Sequence, residues 1–395
     1  MLDSIVTFFQ RIFSAIGRTI GLAIVAVVWP FRAVYGWYGD RSFIIKAPLA
    51  ALFVLVIALY GYFFVQTQMW TNFDPDYVDR YKLSERALPA GQELPVVAAQ
   101  STTNGTSDTS SSATPAAATT TTAARSCQPS AIVEVASGLI DFNVDENAWI
   151  SSMLLYRTGL FGLDWDKTPF LDNKASFQRG VNQAIRRTSV ELVDTIGRVR
   201  GTSGINADLQ DARGNLQFGE YSWYFGLSPF GPQTPTPSYY RTAAEGLRKF
   251  NTDLGNCAAT FDGRADNLIQ FIDRIANDIG STSAILRERS ENYNGGWFDT
   301  RADDRFWFAY GQLYGYYGIL SAAGSDFSQV IRERNLTNLW NDTLVQTRSA
   351  LRIQPSIISN GAEDGWLMPS HLATMGFYVL RVRSNLVELR SVLDR

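Results

Sequence analysis

The chain has 395 residues, of which 46% are hydrophobic, and a formal net charge of −3 at pH 7. This length suits one large domain or two ordinary ones with appendages, and the near-neutral charge provides no basic field for nucleic acid. One histidine and two cysteines are too few for most zinc or haem sites. We therefore expect no metal site, no cofactor and no nucleic-acid partner.

Residues Ala47–Gln66 form the uncharged run "APLAALFVLVIALYGYFFVQ". As a helix this run spans roughly 30 Å, the thickness of a hydrocarbon core, and it predicts a single transmembrane helix. Acidic residues follow the run and basic residues precede it, so the positive-inside rule predicts a cytoplasmic N-terminus and exports everything after about residue 67. The flanking basic residues are Arg11, Arg18, Arg32, Arg41 and Lys46.

The segment 1–46 adds a second membrane feature. A narrow polar and basic stripe runs along an otherwise apolar helical pattern; its members are Ser4, Thr7, Arg11, Ser14 and Arg18. Such a helix is expected to lie in the cytoplasmic leaflet and to bind anionic membrane lipid. The run "TIGLAIVAVVWPF" after it fits an in-plane segment or a tilted crossing, so the sequence leaves open whether residues 19–38 cross the membrane.

A low-complexity segment follows the short juxtamembrane stretch 67–87. Between Ser101 and Arg125, twenty of twenty-five residues are Ser, Thr or Ala. Such a composition cannot bury enough apolar area to offset chain entropy, so residues 88–126 are expected to be a disordered linker. The linker would let the exported domain stand off the membrane.

The two cysteines, Cys127 and Cys257, both lie on the exported side of the predicted span. An even pair in an oxidising compartment is most simply a disulfide, and we expect these two residues to be bridged.

Residues 127–395 are predicted to form one all-α domain, an antiparallel helical bundle. Apolar residues recur at alternating spacings of three and four, and in the last helix they are Leu372, Met375, Val379, Val382, Leu386, Leu389 and Leu393. This 3.5-residue repeat favours near-parallel helix packing. A split of the domain near the proline-rich loop is the alternative, and the C-terminal helix is the candidate for homo-oligomer formation.

The stretch Phe306–Ser325, "FWFAYGQLYGYYGILSAAGS", contains no charge and could be a second span. It has few aliphatic side chains and no basic flank on its inner side, so a central bundle helix is favoured. One face carries Trp307, Tyr310, Tyr314 and Tyr317, which could line a groove. Another carries Gly311, Gly315, Gly318 and Ala322, a smooth stripe where a neighbouring helix would pack closely.

A second aromatic segment, Leu216–Tyr240, combines eight aromatic residues with four prolines. The proline density excludes a continuous helix, so this loop either covers the core or binds a partner. The candidate binding residues are those of the tyrosine face together with Trp223, Tyr224, Phe225, Phe230, Trp297 and Trp366.

Catalytic signatures are weak, and we assign no catalytic residue. Carboxylates cluster at Asp141, Asp145 and Glu146, at Asp164 and Asp166, and at Asp303 and Asp304. Pairs of this kind could hydrolyse glycans, yet acids more often cap helices. The single histidine, His371, fits the start of the last helix better than a catalytic triad.

The run "DNKASFQRGVNQAIRRTSVELVDTIGRVRGTSGINADLQDA" (Asp172–Ala212), behind an N-terminal span, resembles a proteobacterial membrane-protein family known only as a domain of unknown function. The resemblance implies an inner-membrane anchor and a periplasmic domain. It implies no activity and no catalytic residues.

These features together predict a non-enzymatic, membrane-anchored scaffold or adaptor that binds another envelope protein through its helical domain. The first alternative is an aromatic-groove binding module for lipid or peptidoglycan fragments. The second is a carboxylate-based glycan hydrolase.

Overall fold

A computed structural model describes residues 32–95, 125–159, 170–198, 204–227, 230–293 and 295–395, together with positions 14, 18, 19, 21, 22, 25, 26, 28–30, 164, 165 and 168. The chain divides into two compact units, Met1–Phe63 and Phe64–Arg395.

The described part of the chain is almost entirely helical, as predicted. Its α-helices are α1 (Phe43–Gln68), α2 (Ala131–Asp141), α3 (Leu154–Thr158), α4 (Asn173–Glu191), α5 (Ala207–Leu216), α6 (Thr236–Gly255), α7 (Ala265–Asn292), α8 (Ala302–Asp326), α9 (Ser328–Glu333), α10 (Thr337–Leu351) and α11 (His371–Leu393). Short 3₁₀ turns occupy Tyr77–Tyr81, Leu83–Glu85 and Ile150–Ser152, and π-helical turns occupy Phe142–Glu146 and Leu192–Ile196. Strands β1 (Phe225–Leu227) and β2 (Phe230–Pro232) pair as an antiparallel hairpin.

Helix α1 is long and apolar enough to cross a membrane, which confirms the predicted candidate span and extends its bounds. Its most apolar window has a mean hydropathy of 2.4, and none of that window is buried inside protein. Ser4, Thr7 and Arg11 of the predicted amphipathic stripe lie outside the described residues, so the prediction of an in-plane segment there remains a prediction.

The last turn of α1 belongs to the second unit, where side chains of the domain hold its carbonyl end. Lys174, buried at the start of α4, donates from Nζ to Gln66 O over 3.0 Å and to Met69 O over 2.6 Å. Burial lowers the pKa of Lys174 to about 8. A cation at the C-terminal end of a helix is favoured by the helix dipole. The apolar helix therefore continues directly into the domain.

The juxtamembrane segment after α1 is part of the same folded unit. Asn147 pairs with the backbone of Thr71 in both directions, accepting from Thr71 N at 3.0 Å and donating to Thr71 O at 2.9 Å. The ring of Phe73 stacks on Tyr314 of α8 with 5.8 Å between centroids. The segment predicted as a separate stretch, 67–87, is thus built into the core of the domain.

The structure also changes the interpretation of the predicted linker. Gly91 N donates to Gln128 O over 2.8 Å. Leu94 N donates to Ser126 O over 2.8 Å, so the two ends of the undescribed segment 96–124 are held side by side. The role as a spacer between membrane and domain is therefore corrected, because that segment starts and finishes at one point on the domain. The prediction of disorder is wrong for residues 88–95 and 125–126, which are ordered, and residues 96–124 lie outside the described part of the chain.

The predicted disulfide is present between Cys127 and Cys257, whose Cα atoms are 5.3 Å apart. Cys127 N also donates to Gly255 O over 2.8 Å at the end of α6. The bridge and this hydrogen bond fix the point where the described chain resumes against α6.

Helices α4 and α8 pack closely against each other in the core, and glycines allow their backbones to approach. A Cβ atom placed on Gly311 would lie 2.1 Å from Phe177 O, and one on Gly180 would lie 2.1 Å from Phe308 O. At Gly315 the nearest atom would be the Cβ of Ala184, at 2.8 Å. The close helix packing predicted for the glycine stripe is therefore confirmed at Gly311 and Gly315, whereas a Cβ on Gly318 would meet Tyr77 OH at 2.1 Å.

The stretch Phe306–Ser325 lies within α8 and is buried along most of its length. It is a core helix of the domain, as favoured over a second span. At its end, Asp326 accepts hydrogen bonds from Ser130 Oγ at 2.6 Å and from the amides of Ala131 and Ile132. Burial raises the pKa of Asp326 to about 6. This carboxyl thus joins the end of α8 to the start of α2.

The apolar heptad stripe of α11 packs along α7, and all of its predicted members are buried. The stripe is therefore buried within one chain and does not need a second copy to cover it. The opposite face of α11 exposes Phe377, Leu380 and Val387. Homo-oligomer formation through the C-terminal helix remains a prediction, but it would use this second face.

Replacement of Gly311 by alanine is expected to lower the stability of the domain by about 1–3 kcal/mol, since overpacking forces the backbones of α4 and α8 apart. The readout is the thermal unfolding midpoint of the full chain in detergent, followed by circular dichroism. Gly214→Ala in α5 is the matched control, because no atom lies within 4 Å of its added Cβ. An equal loss in both variants would contradict the close-packing explanation.

The double variant Cys127→Ser/Cys257→Ser is expected to be less stable than the oxidised chain by about 2–4 kcal/mol, because the bridge restricts the unfolded ensemble. Unfolding in urea measures the difference. Dithiothreitol should bring the parent chain to the stability of the variant and leave the variant unchanged. A reduced parent chain that unfolds like the oxidised one would refute this expectation.

Candidate functional site

The tyrosine face of α8 lies against the juxtamembrane segment in a buried aromatic cluster. Tyr314 stacks on Tyr77 with 4.4 Å between centroids, and Trp307 lies 5.2 Å from Trp70. Tyr310 and Tyr314 are fully buried, Tyr317 is buried and Trp307 is half-buried. Four predicted binding residues thus come together in the core.

The hydroxyl groups of this face bind backbone carbonyls of neighbouring segments. Tyr310 OH donates to Leu351 O over 2.6 Å, and Tyr314 OH donates to Asp74 O over 3.1 Å. Burial raises the pKa of both phenols. The prediction that this face lines a groove is therefore wrong. The rings are covered by the juxtamembrane segment, residues 67–87, which the sequence analysis had placed outside the domain.

The other aromatic segment is exposed. Tyr224 keeps 65% of its surface accessible and Phe230 keeps 80%, and Phe225 is also exposed. In the strand register, Phe225 pairs with Pro232. The ring of Phe225 lies edge-on to the ring of Phe230, with 4.9 Å between their centroids. Trp223 is half-buried beside them. The aromatic hairpin, residues 223–232, therefore presents aromatic rings to solvent.

Two of the remaining predicted residues are exposed on loops that contact each other. Trp297 and Trp366 are both exposed, the latter to 95%. The loops that carry them are tied by reciprocal hydrogen bonds between Gly296 and Asn360, at 2.9 and 3.1 Å. Both indole rings are therefore accessible to a ligand or a partner.

A polar pocket of 290 Å³ lies where α4, α8 and the base of the hairpin meet. It is lined by Ser176, Arg179, Glu220, Arg301, Asp304, Arg305 and Phe308. Arg179 donates to Tyr221 OH over 2.7 Å and to Ser176 Oγ over 2.9 Å. Ser176 Oγ in turn donates to Asp304 Oδ1 over 2.6 Å. The sequence pattern did not single out this pocket, because its arginines come from separate elements.

Two carboxyl groups meet behind this pocket, at the starts of α4 and α8. Asp172 and Asp303 are both buried, and their carboxyl groups interact electrostatically. Burial, and secondly the negative charge of Asp304, raises the pKa of Asp303 to about 7.

A further buried network, also missed at the sequence level, centres on Asp278 of α7. Its Oδ2 accepts from Gln312 Nε2 at 2.6 Å and from Tyr316 OH at 2.7 Å. Its Oδ1 accepts from Gln183 Nε2 at 2.8 Å and from Arg187 at 3.3 Å. The polar Gln312 within the uncharged stretch was the only hint of it in the sequence.

The remaining acidic candidates bind neighbouring side chains. Asp141 and Asp145 pair with Arg248 and Arg241 of α6. Glu146 accepts from the Asn72 side chain at 2.8 Å. Asp164 is exposed, and Asp166 lies outside the described residues.

His371 begins α11 as predicted. The Ser370 hydroxyl caps that helix by accepting from Ala373 N at 3.2 Å. His371 Nδ1 accepts from Ser359 N at 2.9 Å, and burial lowers the pKa of its imidazole.

A family model described as "uncharacterized protein conserved in bacteria (DUF2333)" matches residues 108–295 and 287–395. The chain belongs to this family. The expected membership in a family defined only as a domain of unknown function is therefore confirmed. The match covers the helical domain and does not include α1. No curated protein and no solved structure matched the chain.

The substitution Asp303→Asn is expected to raise the thermal midpoint at pH 8, and this advantage should shrink as the pH falls from 7 towards 4. Asp303 has a pKa of about 7 in the folded chain against an ordinary value of 3.8, so ionisation disfavours the folded state increasingly across this range. An asparagine has nearly the same shape and removes the buried charge.

Asp342→Asn, at an exposed position in α10, is the matched control and should leave the pH profile unchanged. A lower midpoint for Asp303→Asn at pH 8 would show instead that the ionised carboxyl stabilises the fold.

Proposed function

We propose that this protein is a membrane-anchored scaffold or adaptor of the bacterial envelope whose helical domain binds another envelope protein through the aromatic hairpin. Helix α1 anchors it in the inner membrane with a cytoplasmic N-terminus. The domain after residue 67 lies in the periplasm. The basic flank before α1 supports this orientation, and the Cys127–Cys257 bridge suits an oxidising compartment.

The observation that carries the proposal is the exposure of Tyr224, Phe225 and Phe230 in a domain that buries most of its other large rings. Exposed aromatic rings commonly anchor protein interfaces, because they bury a large area at little cost in side-chain entropy. The hairpin has only two strands, so each strand also offers a free backbone edge to an incoming chain.

The attachment of α1 narrows the kind of partner. The last turn of α1 is held by Lys174 and leads into the domain without a long linker. A scaffold of this kind selects partners that are themselves anchored in, or bound near, the same membrane. This proposal replaces the expectation that a long linker lets the domain stand off the membrane.

A binding module for peptidoglycan fragments or lipid is the second candidate, and the patch around Trp297 and Trp366 favours it. Two exposed indoles on loops that are tied together can present ring faces to sugars. The predicted tyrosine groove no longer contributes to this candidate.

A photo-crosslinking amino acid at position 230 tests the proposal in native membranes. One defined envelope protein should be captured, and Tyr224→Ser in the same chain should reduce the yield about ten-fold by removing an interface anchor. The same probe at Val345, an exposed residue of α10, is the matched control.

Equal capture of that protein from positions 230 and 345 would refute binding through the hairpin. Purification of the chain with stoichiometric glycan or lipid, lost in Trp297→Ser/Trp366→Ser, would instead favour the second candidate.

A further inference from the structure

The exposed face of α11 carries a second stripe of uncharged residues. Its members recur at alternating spacings of four and three, as those of the buried stripe do; they are Ala373, Phe377, Leu380, Ser384, Val387 and Ser391. Phe377 is 58% exposed, Leu380 48% and Val387 44%. A 3.5-residue repeat over about 27 Å of helix is the pattern of a coiled-coil seam, and nothing in the described part of the chain covers this one.

The two flanks of this exposed stripe differ in what they contact. On one flank, Arg390 pairs with Asp273 of α7 at 2.7 Å. On the other flank, Arg381 and Glu388 are both exposed, and no ion pair in the described part of the chain includes either of them. They lie seven residues apart, about 10 Å along the helix axis, which is too far for them to pair within one helix.

The exposed stripe is complementary to itself in an antiparallel arrangement. Its six positions are symmetric about residue 382, so an antiparallel second copy of α11 places Phe377 opposite Val387 and Leu380 opposite Ser384. Each large side chain then meets a smaller one, as interdigitated packing requires. A parallel second copy would instead stack each residue on its own counterpart, with Phe377 on Phe377 and Ser384 on Ser384.

The charged flank fits the same antiparallel arrangement. Residues that flank a coiled-coil seam form the ion pairs that select the partner and its orientation. In the antiparallel pair, Arg381 of each copy reaches towards Glu388 of the other. One arginine and one glutamate are therefore enough for two ion pairs, because a two-fold interface uses the same surface on both copies.

A groove beside Phe377 provides room for a second helix. It has a volume of 340 Å³, lies between α7 and α11, and includes the small residues Ala373 and Gly376 in its lining. Small residues allow two helices to approach closely. The N-terminal half of the exposed stripe is therefore open to a helix that packs along it.

We propose that two copies of this chain associate through α11 as an antiparallel pair about a two-fold axis near residue 382. The inference is independent of what the aromatic hairpin binds, because it concerns another face and is tested on the purified chain alone. A dimer carries two hairpins, so a partner that is itself repeated would be bound with higher avidity.

Sedimentation velocity of the full chain in mild detergent, over the micromolar range, tests the proposal. The parent chain is expected to dimerise reversibly. Arg381→Glu and Glu388→Arg are each expected to raise the dissociation constant at least about ten-fold, because either change turns both ion pairs into like-charge contacts. An equimolar mixture of the two variants should form a heterodimer, since every charge then meets its opposite across the interface.

Arg334→Glu makes the same charge change at an exposed position after α9 and should dimerise like the parent chain. Phe377→Ser is expected to weaken dimerisation about ten-fold by removing the largest side chain of the stripe. Thermal unfolding verifies that the variants are folded.

A parent chain that stays monomeric over this range would overturn the proposal. A dimer that neither charge variant weakens would overturn it as well, because the contact would then lie on another surface. Failure of the mixed variants to form a heterodimer, when each variant alone is weakened, would overturn the antiparallel geometry.

Discussion

The close approach of α4 and α8 is the constraint on which the rest of the domain depends. Gly180 and Gly311 each face a backbone carbonyl of the opposite helix, so no side chain fits between them. Because the two backbones are so close, the rings of Tyr310 and Tyr314 lie on a different face of α8. There Trp70, Phe73 and Tyr77 cover this aromatic face. The same approach brings Asp172 and Asp303, at the two helix starts, into one buried pair.

This arrangement has a consequence for attachment to the membrane. The segment that covers the tyrosine face directly follows α1. The aromatic side chains of this segment are therefore part of the core of the domain. Lys174 completes the junction by donating to the last carbonyls of α1. Because the junction is hydrogen-bonded and packed, movement of α1 relative to α4 would expose aromatic surface and a buried amine.

The domain thus separates its aromatic residues into two populations with different roles. The rings at helical spacing in α8 stabilise the interior, and their hydroxyl groups donate hydrogen bonds to backbone carbonyls. Rings in the proline-rich segment lie on a two-stranded hairpin, because proline removes amide donors and prevents a helix from burying them. Their exposure supports a binding role for the hairpin.

The sequence alone determined the helical class, the apolar helix, the disulfide pair and the close-packing glycine stripe. Each of these follows from local pattern: a twenty-residue apolar run, a 3.5-residue repeat, an even number of cysteines, and glycines at 4-3 spacing. Only the tertiary structure decided that the tyrosine face is interior, that residues 91–94 pair with 126–128, and that Arg301, Arg305 and Arg179 share a pocket. These facts depend on which segments meet across long separations. The spacing of residues in a sequence shows which face of a helix is apolar. It does not show which other segment of the chain packs on that face.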